Sequence, residues 1–236
     1  MARVGILIRP DVCIGCRACQ VACKEWNGLP AEKTRNLGTH ENPPDLSANL
    51  FNRVRFIEVL QNGKGVRWLF VSQRCMHCGE PACVEVCPVQ ALQRSEEGIV
   101  FYDKEKCIAC HTCKEACPFG IPRYDEGGKG KVAKCHMCLE RVRAGLAPAC
   151  AKTCPTGAIK FGKRDALIAE AKDRGYPVLY GEKELGGLGV IFALRESPKV
   201  YRLSEAPSIP PHVLFWKSAL GFLFGERGSK LLRYFV

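Results

Sequence analysis

Sixteen of the 236 residues are cysteine, and they fall into four runs of four with none left over. The most regular run is Cys107-Ile108-Ala109-Cys110-His111-Thr112-Cys113-Lys114-Glu115-Ala116-Cys117-Pro118, spaced Cys-x2-Cys-x2-Cys-x3-Cys-Pro. Cys13, Cys16, Cys19 and Cys23 keep that spacing, with Lys24 in place of the proline. Cys75, Cys78, Cys83 and Cys87 lengthen the middle gap and are followed by Pro88. Cys135, Cys138, Cys150 and Cys154, followed by Pro155, insert eleven residues before the third thiol.

Three thiols so close together can wrap several corners of one inorganic cluster, because the short loops between them fold the backbone over it. The fourth sits where the chain turns into a helix and faces elsewhere. In this pattern the first three thiolates hold one iron–sulfur cluster and the fourth reaches a second, so a run implies a partner run. Every run offers four thiolates, which predicts four [4Fe-4S] cubanes. Eight disulfides would suit a small secreted scaffold, and three thiols in seven residues are poorly placed for separate bridges. Structural zinc normally takes two cysteine pairs across a long loop, so the third and fourth spacings fit it badly.

Only nineteen residues, Pro88 to Lys106, separate the second and third runs, and they hold the strand-like Ile99-Val100-Phe101-Tyr102. Those runs therefore pair, leaving the first and fourth to pair across the chain. The expected ligand sets are Cys75, Cys78, Cys83 with Cys117; Cys107, Cys110, Cys113 with Cys87; Cys13, Cys16, Cys19 with Cys154; and Cys135, Cys138, Cys150 with Cys23.

The expected fold class is α+β: two nested two-cluster units of bacterial ferredoxin type, with a β-hairpin insertion and a C-terminal tail. Residues 1–23 and 133–180 form one unit and residues 75–132 the other. Residues 24–74 are the insertion, with strands at Val54–Val59 and Val66–Val71 about the turn Asn62-Gly63-Lys64-Gly65. A short strand at Val4, Ile6 and Ile8 leads into the first run. Leu139 to Ala149 reads as a short helix ending near Gly145, and Asp165 to Arg174 as an amphipathic helix closed by Gly175, packed on the clusters. Residues 181–211 are expected as a C-terminal arm. With few long apolar stretches, the clusters are expected to act as the core of each half, coupling folding to metallation.

The formal charge of +11 resembles that of a nucleic-acid binder until the clusters are counted. Four oxidised cubanes with their thiolates contribute about −8, leaving about +3. The basic residues are scattered without a recognition motif, so nucleic acid is not an expected partner. Arg3 and Arg9 flank too few apolar residues for a signal peptide. Gly186-Gly187-Leu188-Gly189 lacks the spacing of a nucleotide-binding loop and reads as a turn. Residues 212–236, with Val213-Leu214-Phe215-Trp216 followed by Arg227, Lys230 and Arg233, are too short an apolar stretch for a membrane span, which needs about 20 residues. They suit a membrane surface or a partner's groove. No acid–base pair, nucleophile or substrate pocket is visible, so no catalytic residue is assigned. His77 and His111 are candidates for hydrogen bonds that tune cluster potentials, with simple packing beside the cluster as the equal alternative.

The four runs, in this order and with these gaps, resemble the four-cluster subunits of molybdenum or tungsten bis-pterin oxidoreductases, over about Arg9 to Gly162. Within that group, Trp26-Asn27-Gly28-Leu29-Pro30, Thr34 to Leu46, Lys134-Cys135-His136-Met137-Cys138 and Thr153-Cys154-Pro155-Thr156-Gly157 are similar to the iron–sulfur (β) subunit of formate dehydrogenase. The resemblance implies a non-catalytic electron relay. A separate Mo/W-pterin subunit would interconvert formate and carbon dioxide, and a cytochrome b, quinone or other carrier would exchange electrons at the far end. It also implies peripheral membrane association, cytoplasmic unless the chain is exported with its partner. The alternatives are the iron–sulfur subunit of a dimethyl sulfoxide, thiosulfate or polysulfide reductase, or a free-standing polyferredoxin carrier.

Overall fold

The computed structural model describes residues 2–211 and 213, except Asn62, Lys64, Glu126 and Gly128. The tail reading therefore lies, but for Val213, outside the described residues. In chain order the elements are β1 (Val4–Ile8), α1 (Ala18–Trp26), β2 (Arg53–Gln61), β3 (Gly65–Gln73), α2 (Ala82–Glu85), β4 (Leu92–Arg94), β5 (Val100–Tyr102) and α3 (Thr112–Glu115). There follow β6 (Arg123–Tyr124), β7 (Val132–Ala133), α4 (Leu139–Arg143), α5 (Ala149–Lys152), β8 (Ile159–Lys163), α6 (Arg164–Asp173), β9 (Val178–Tyr180) and β10 (Val190–Leu194).

The largest sheet has the order β8-β1-β10-β9, with β1 and β10 parallel and the outer pairs antiparallel. Side chains alternate across it, as a strand requires. Ile6, Ile8, Val190, Phe192 and Leu194 face the cysteine-bearing side together with Tyr180 and Leu188. Leu7, Ile191 and Ala193 face the other way, against Leu167, Ile168 and Ala171 of α6 and the nearby Tyr176. Buried on both faces, β10 is apolar throughout, which is the composition of a central strand.

Two expectations are corrected here. Residues 181–211 are no peripheral arm, because β10 lies in the middle of this sheet. Nor is the core made by cysteine sites alone, since the sheet and α6 bury an ordinary apolar core and α6 packs on β1 and β8. Parallel pairing between the two ends of the chain leaves no local signature, so the sequence does not place these strands in one sheet.

Three two-stranded antiparallel pairs, β2–β3, β4–β5 and β6–β7, complete the strands among the described residues. The β2–β3 pair runs in register from Arg53↔Gln73 to Gln61↔Gly65 and leans on the first cysteine run. Gln20 accepts a hydrogen bond from the Val54 amide at 3.3 Å, and Arg17 lies 4.6 Å over the Phe56 ring. Gly15, at φ +66°, presses on Phe70 so closely that a Cβ would sit 2.8 Å from the ring.

The approach to β10 is bonded to the second run. The Gly189 amide donates to the carbonyls of Met76 (2.9 Å) and His77 (2.8 Å), and the Val190 amide to Met76 at 3.1 Å. Since β10 also pairs with β1, which leads into the first run, this strand ties the first and second runs together.

Candidate iron–sulfur sites

The four runs share one local conformation. The residue immediately before the second cysteine is left-handed in each: Gly15 (φ +66°), His77 (+48°), Ala109 (+56°) and Met137 (+53°). Three of these are not glycine, and such a conformation costs roughly 1–2 kcal/mol per L-residue, so something must reward it. The turn aims amide hydrogens inward. Ala109 N–H points at Cys107 Sγ and Met137 N–H at Cys135 Sγ, both at 3.4 Å. A concave set of N–H groups of this kind is an anion nest.

Each third cysteine then lies in or beside the first turn of a helix, α1, α2, α3 or α5, and the fourth follows one turn later. Cys19 and Cys23 sit four apart on α1, hence on one face, and both are buried. Further amides close on the fourth sulfurs, Ala91 on Cys87 at 3.2 Å and Ile159 on Cys154 at 3.4 Å.

Helix α1 packs against α5, and α2 against α3, bringing the runs together in two pairs. The thiols sense one another accordingly. Burial pushes up Cys13, and Cys19, Cys154 and Cys16 add to it. Burial does the same to Cys23, beside Cys135, Cys150 and Cys138. Cys78 is raised by burial and then by Cys75 and Cys117, and Cys83 has Cys75, Cys117 and Cys78 around it. Burial pushes Cys113 up to about 11, with Cys110, Cys87 and Cys107 nearby. Cysteines of the first and fourth runs, and of the second and third, thus lie beside one another across each pair.

The groups also touch in sequence. Cys83, Cys87, Cys107 and Cys113 share one apolar cluster, and Cys75, Cys117, Cys23 and Cys135 another. Cys19 lies near Cys150. Only Cys16 and Cys110 are exposed among the sixteen, one at each end of that succession.

The donor chemistry fits sulfur-bridged iron. All sixteen thiols are free of disulfides. A cavity is lined by Cys23, Cys135, Cys138 and Cys150 together with Asn27, Asn52, Arg74 and His136. Burial pushes Cys135 up to about 12 and Cys138 to about 11. Thiolates there require a strong cation in the group, which iron supplies.

Two buried cations that the sequence reading did not single out lie among these groups. Arg74 and Lys134, 1% and 2% exposed, each precede the first cysteine of a run. Lys134 Nζ donates to the carbonyls of Val100 (2.6 Å) and Cys135 (3.0 Å). It lies close enough to lower the Cys83 and Cys117 thiols. His77 and His111 pack beside their runs. His77 Nδ1 accepts from the Val100 amide at 3.1 Å, and His111 stacks on Tyr124 at 3.9 Å. Among the described residues no hydrogen bond joins either imidazole to sulfur; Tyr124 instead pairs its hydroxyl with Cys113 Sγ at 3.0 Å.

Left-handed turns, amides aimed at sulfur and paired cysteine runs define a ferredoxin-type protein with two dicluster units. In agreement, residues 12–91 and 66–164 each match a family described as 4Fe-4S dicluster domain. The chain is 43% identical over 232 residues to the iron–sulfur subunit of the nitrate-inducible formate dehydrogenase of Escherichia coli K12, covering 93% of this chain and 78% of that one. It is 42% identical over 238 residues to the formate dehydrogenase-O iron–sulfur subunit of the same organism, covering 93% and 79%. Formate dehydrogenase 2 subunit beta (cytochrome c-553) of Nitratidesulfovibrio vulgaris is 42% identical over 178 residues, covering 72% of this chain and 81% of that one. The chain belongs to the family of formate dehydrogenase iron–sulfur subunits. It is a non-catalytic electron-transfer subunit, and it carries four [4Fe-4S] clusters.

Proposed function

We propose that the chain connects a molybdenum- or tungsten-pterin catalytic subunit, working on formate and carbon dioxide, with a cytochrome b, quinone or other carrier. The four ligand sets are Cys13, Cys16, Cys19 with Cys154; Cys135, Cys138, Cys150 with Cys23; Cys75, Cys78, Cys83 with Cys117; and Cys107, Cys110, Cys113 with Cys87. They form two nested units, residues 1–23 with 133–180 and residues 75–132, with residues 24–74 inserted between. When bound, the clusters supply one-electron redox sites, and electron transfer falls steeply with distance, so closely spaced sites serve a relay. The chain's own part is to hold thiolates in succession, shield the inner groups and leave an opening at either end.

One observation carries this reading: cysteines of neighbouring runs share apolar clusters, and the two exposed ones, Cys16 and Cys110, belong to the runs that the proposed sets put at the ends. Both follow an isoleucine that is itself exposed, Ile14 at 60% and Ile108 at 54%, so each end offers an apolar contact beside the sulfur. Among the described residues no helix is long and apolar enough to cross a membrane, which suits peripheral attachment, with residues 213–236 as the contact.

Cys110→Ser in the assembled complex tests the relay. Electron delivery from formate to the natural acceptor should fall to background, while formate oxidation with a small dye at the catalytic subunit should persist. Survival of both activities would remove the clusters from the route. A purified complex inactive with formate would remove the substrate assignment and leave the relay standing.

A further inference from the structure

We propose that Arg74 is a positioning residue that sets the reduction potential of the cluster held by Cys135, Cys138, Cys150 and Cys23, as its permanent buried counter-charge. The inference rests on the ligand sets above and adds a residue outside them. Arg74 Nη1 donates to Cys150 Sγ at 2.8 Å. Its Nε and Nη2 clamp onto Ser72 Oγ at 3.0 and 2.6 Å, and Ser72 in turn donates to Asn52 Oδ1 at 2.7 Å. The planar fork is thus locked from behind while one nitrogen is aimed at sulfur, a geometry that lysine cannot reproduce.

Arg74 is 1% exposed and has no carboxylate partner among the described residues. A buried unpaired cation is costly, so its position calls for an anion. The candidates around it are all sulfur. It lines the cavity with Cys23, Cys135, Cys138 and Cys150. It therefore faces all four ligands assigned to the cluster of the fourth run. By contrast, the outermost group at Cys107, Cys110 and Cys113 is met by the neutral hydroxyl of Tyr124.

One-electron reduction by an external reductant adds one negative charge to a cluster and moves no proton here, since guanidinium stays charged at every relevant pH. A fixed cation beside the sulfur favours the reduced form, and removing it favours the oxidised one.

The test is an anaerobic redox titration of the cluster-loaded full chain, reduced with dithionite and followed by electron paramagnetic resonance. In Arg74→Gln, one of the four midpoints should fall, by roughly a tenfold change in the reduced-to-oxidised ratio, about 59 mV for a one-electron couple. The other three should stay within about threefold of wild type, and Arg74→Lys should recover part of the shift. Unmoved midpoints, four equal shifts, or a lysine variant displaced as far as the glutamine variant would overturn the proposal. Wild-type iron content separates this from the ligand reading, which fails if fewer than four clusters are found. Should Arg74→Gln take up no iron, wild-type chain labelled with guanidino-15N arginine decides. Pulsed resonance should detect nitrogen coupled to a reduced cluster, and its absence would overturn the assignment.

Discussion

The central strand offers a pair of substitutions that separates folding from the cluster side of the sheet. Ile191 and Phe192 are 0% and 1% exposed and are neighbours in β10, so they point to opposite faces. Ile191 packs with Leu167, Ile168 and Ala171 on the side of α6. Phe192 packs with Tyr180, whose ring centre is 6.4 Å away, on the side that holds Met76, Cys19 and Cys150. Truncating a buried isoleucine or phenylalanine to alanine costs about 3 kcal/mol or more, because lost transfer energy and an unfilled cavity add. For a chain of this length each kcal/mol lowers Tm by about 2–4 °C, so each variant should melt roughly 9 °C below wild type. The assay is a thermal scan of the cluster-loaded chain at one heating rate, read by far-ultraviolet circular dichroism and by cluster absorbance. Ile191→Ala should lower Tm with the cluster resonances unchanged, whereas Phe192→Ala should lower it and perturb them. Leu60→Ala, at a residue 81% exposed, is the control and should shift by less than about 2 °C. If both β10 variants melt with that control, the strand is not central and the sheet order is wrong.

Tyr124→Phe removes the hydroxyl paired with Cys113 at 3.0 Å. It should lower the potential of that cluster by about 1 kcal/mol, roughly 40 mV for one electron, in a titration that leaves the others in place. Gly15→Ala puts a Cβ 2.8 Å from the Phe70 ring at φ +66°. It should cost about 2–4 kcal/mol, read as a lower denaturation midpoint together with iron lost from the first run. Stripping iron with a chelator should abolish amide protection in 13–23, 75–87, 107–117 and 135–154, while β1, β10 and α6 keep theirs by virtue of a core of their own. Hydrogen exchange by mass spectrometry measures both, and equal loss everywhere would show that the sheet depends on the clusters.

What could be read from the sequence was local. Cysteine spacing is dictated by the cluster, so the four runs stand out, and the helices ending at Gly145 and Gly175 announce themselves through residues that tolerate positive φ (+74° and +68°). The β10 placement was hidden because its parallel partner, β1, lies at the other end of the chain, and Val190-Ile191-Phe192-Ala193-Leu194 shows only that it is apolar. Arg74 and Lys134 were hidden for a different reason. A cation beside a cysteine reads as solvated surface, and only packing reveals it as buried. Their shared place, one residue before the first cysteine of a run, is the signal that could have found them; Lys106, in the same place before Cys107, is exposed. For the histidines, packing was the alternative to sulfur contact, and packing is what is seen: His77 Nδ1 accepts from the Val100 amide and His111 stacks on Tyr124.

The most direct test of the account is an iron and acid-labile sulfide count on chain purified without oxygen. Four cubanes require about sixteen of each per chain, with zinc absent. Eight of each, or zinc in place of iron, would contradict the four cysteine groups and the relay built on them.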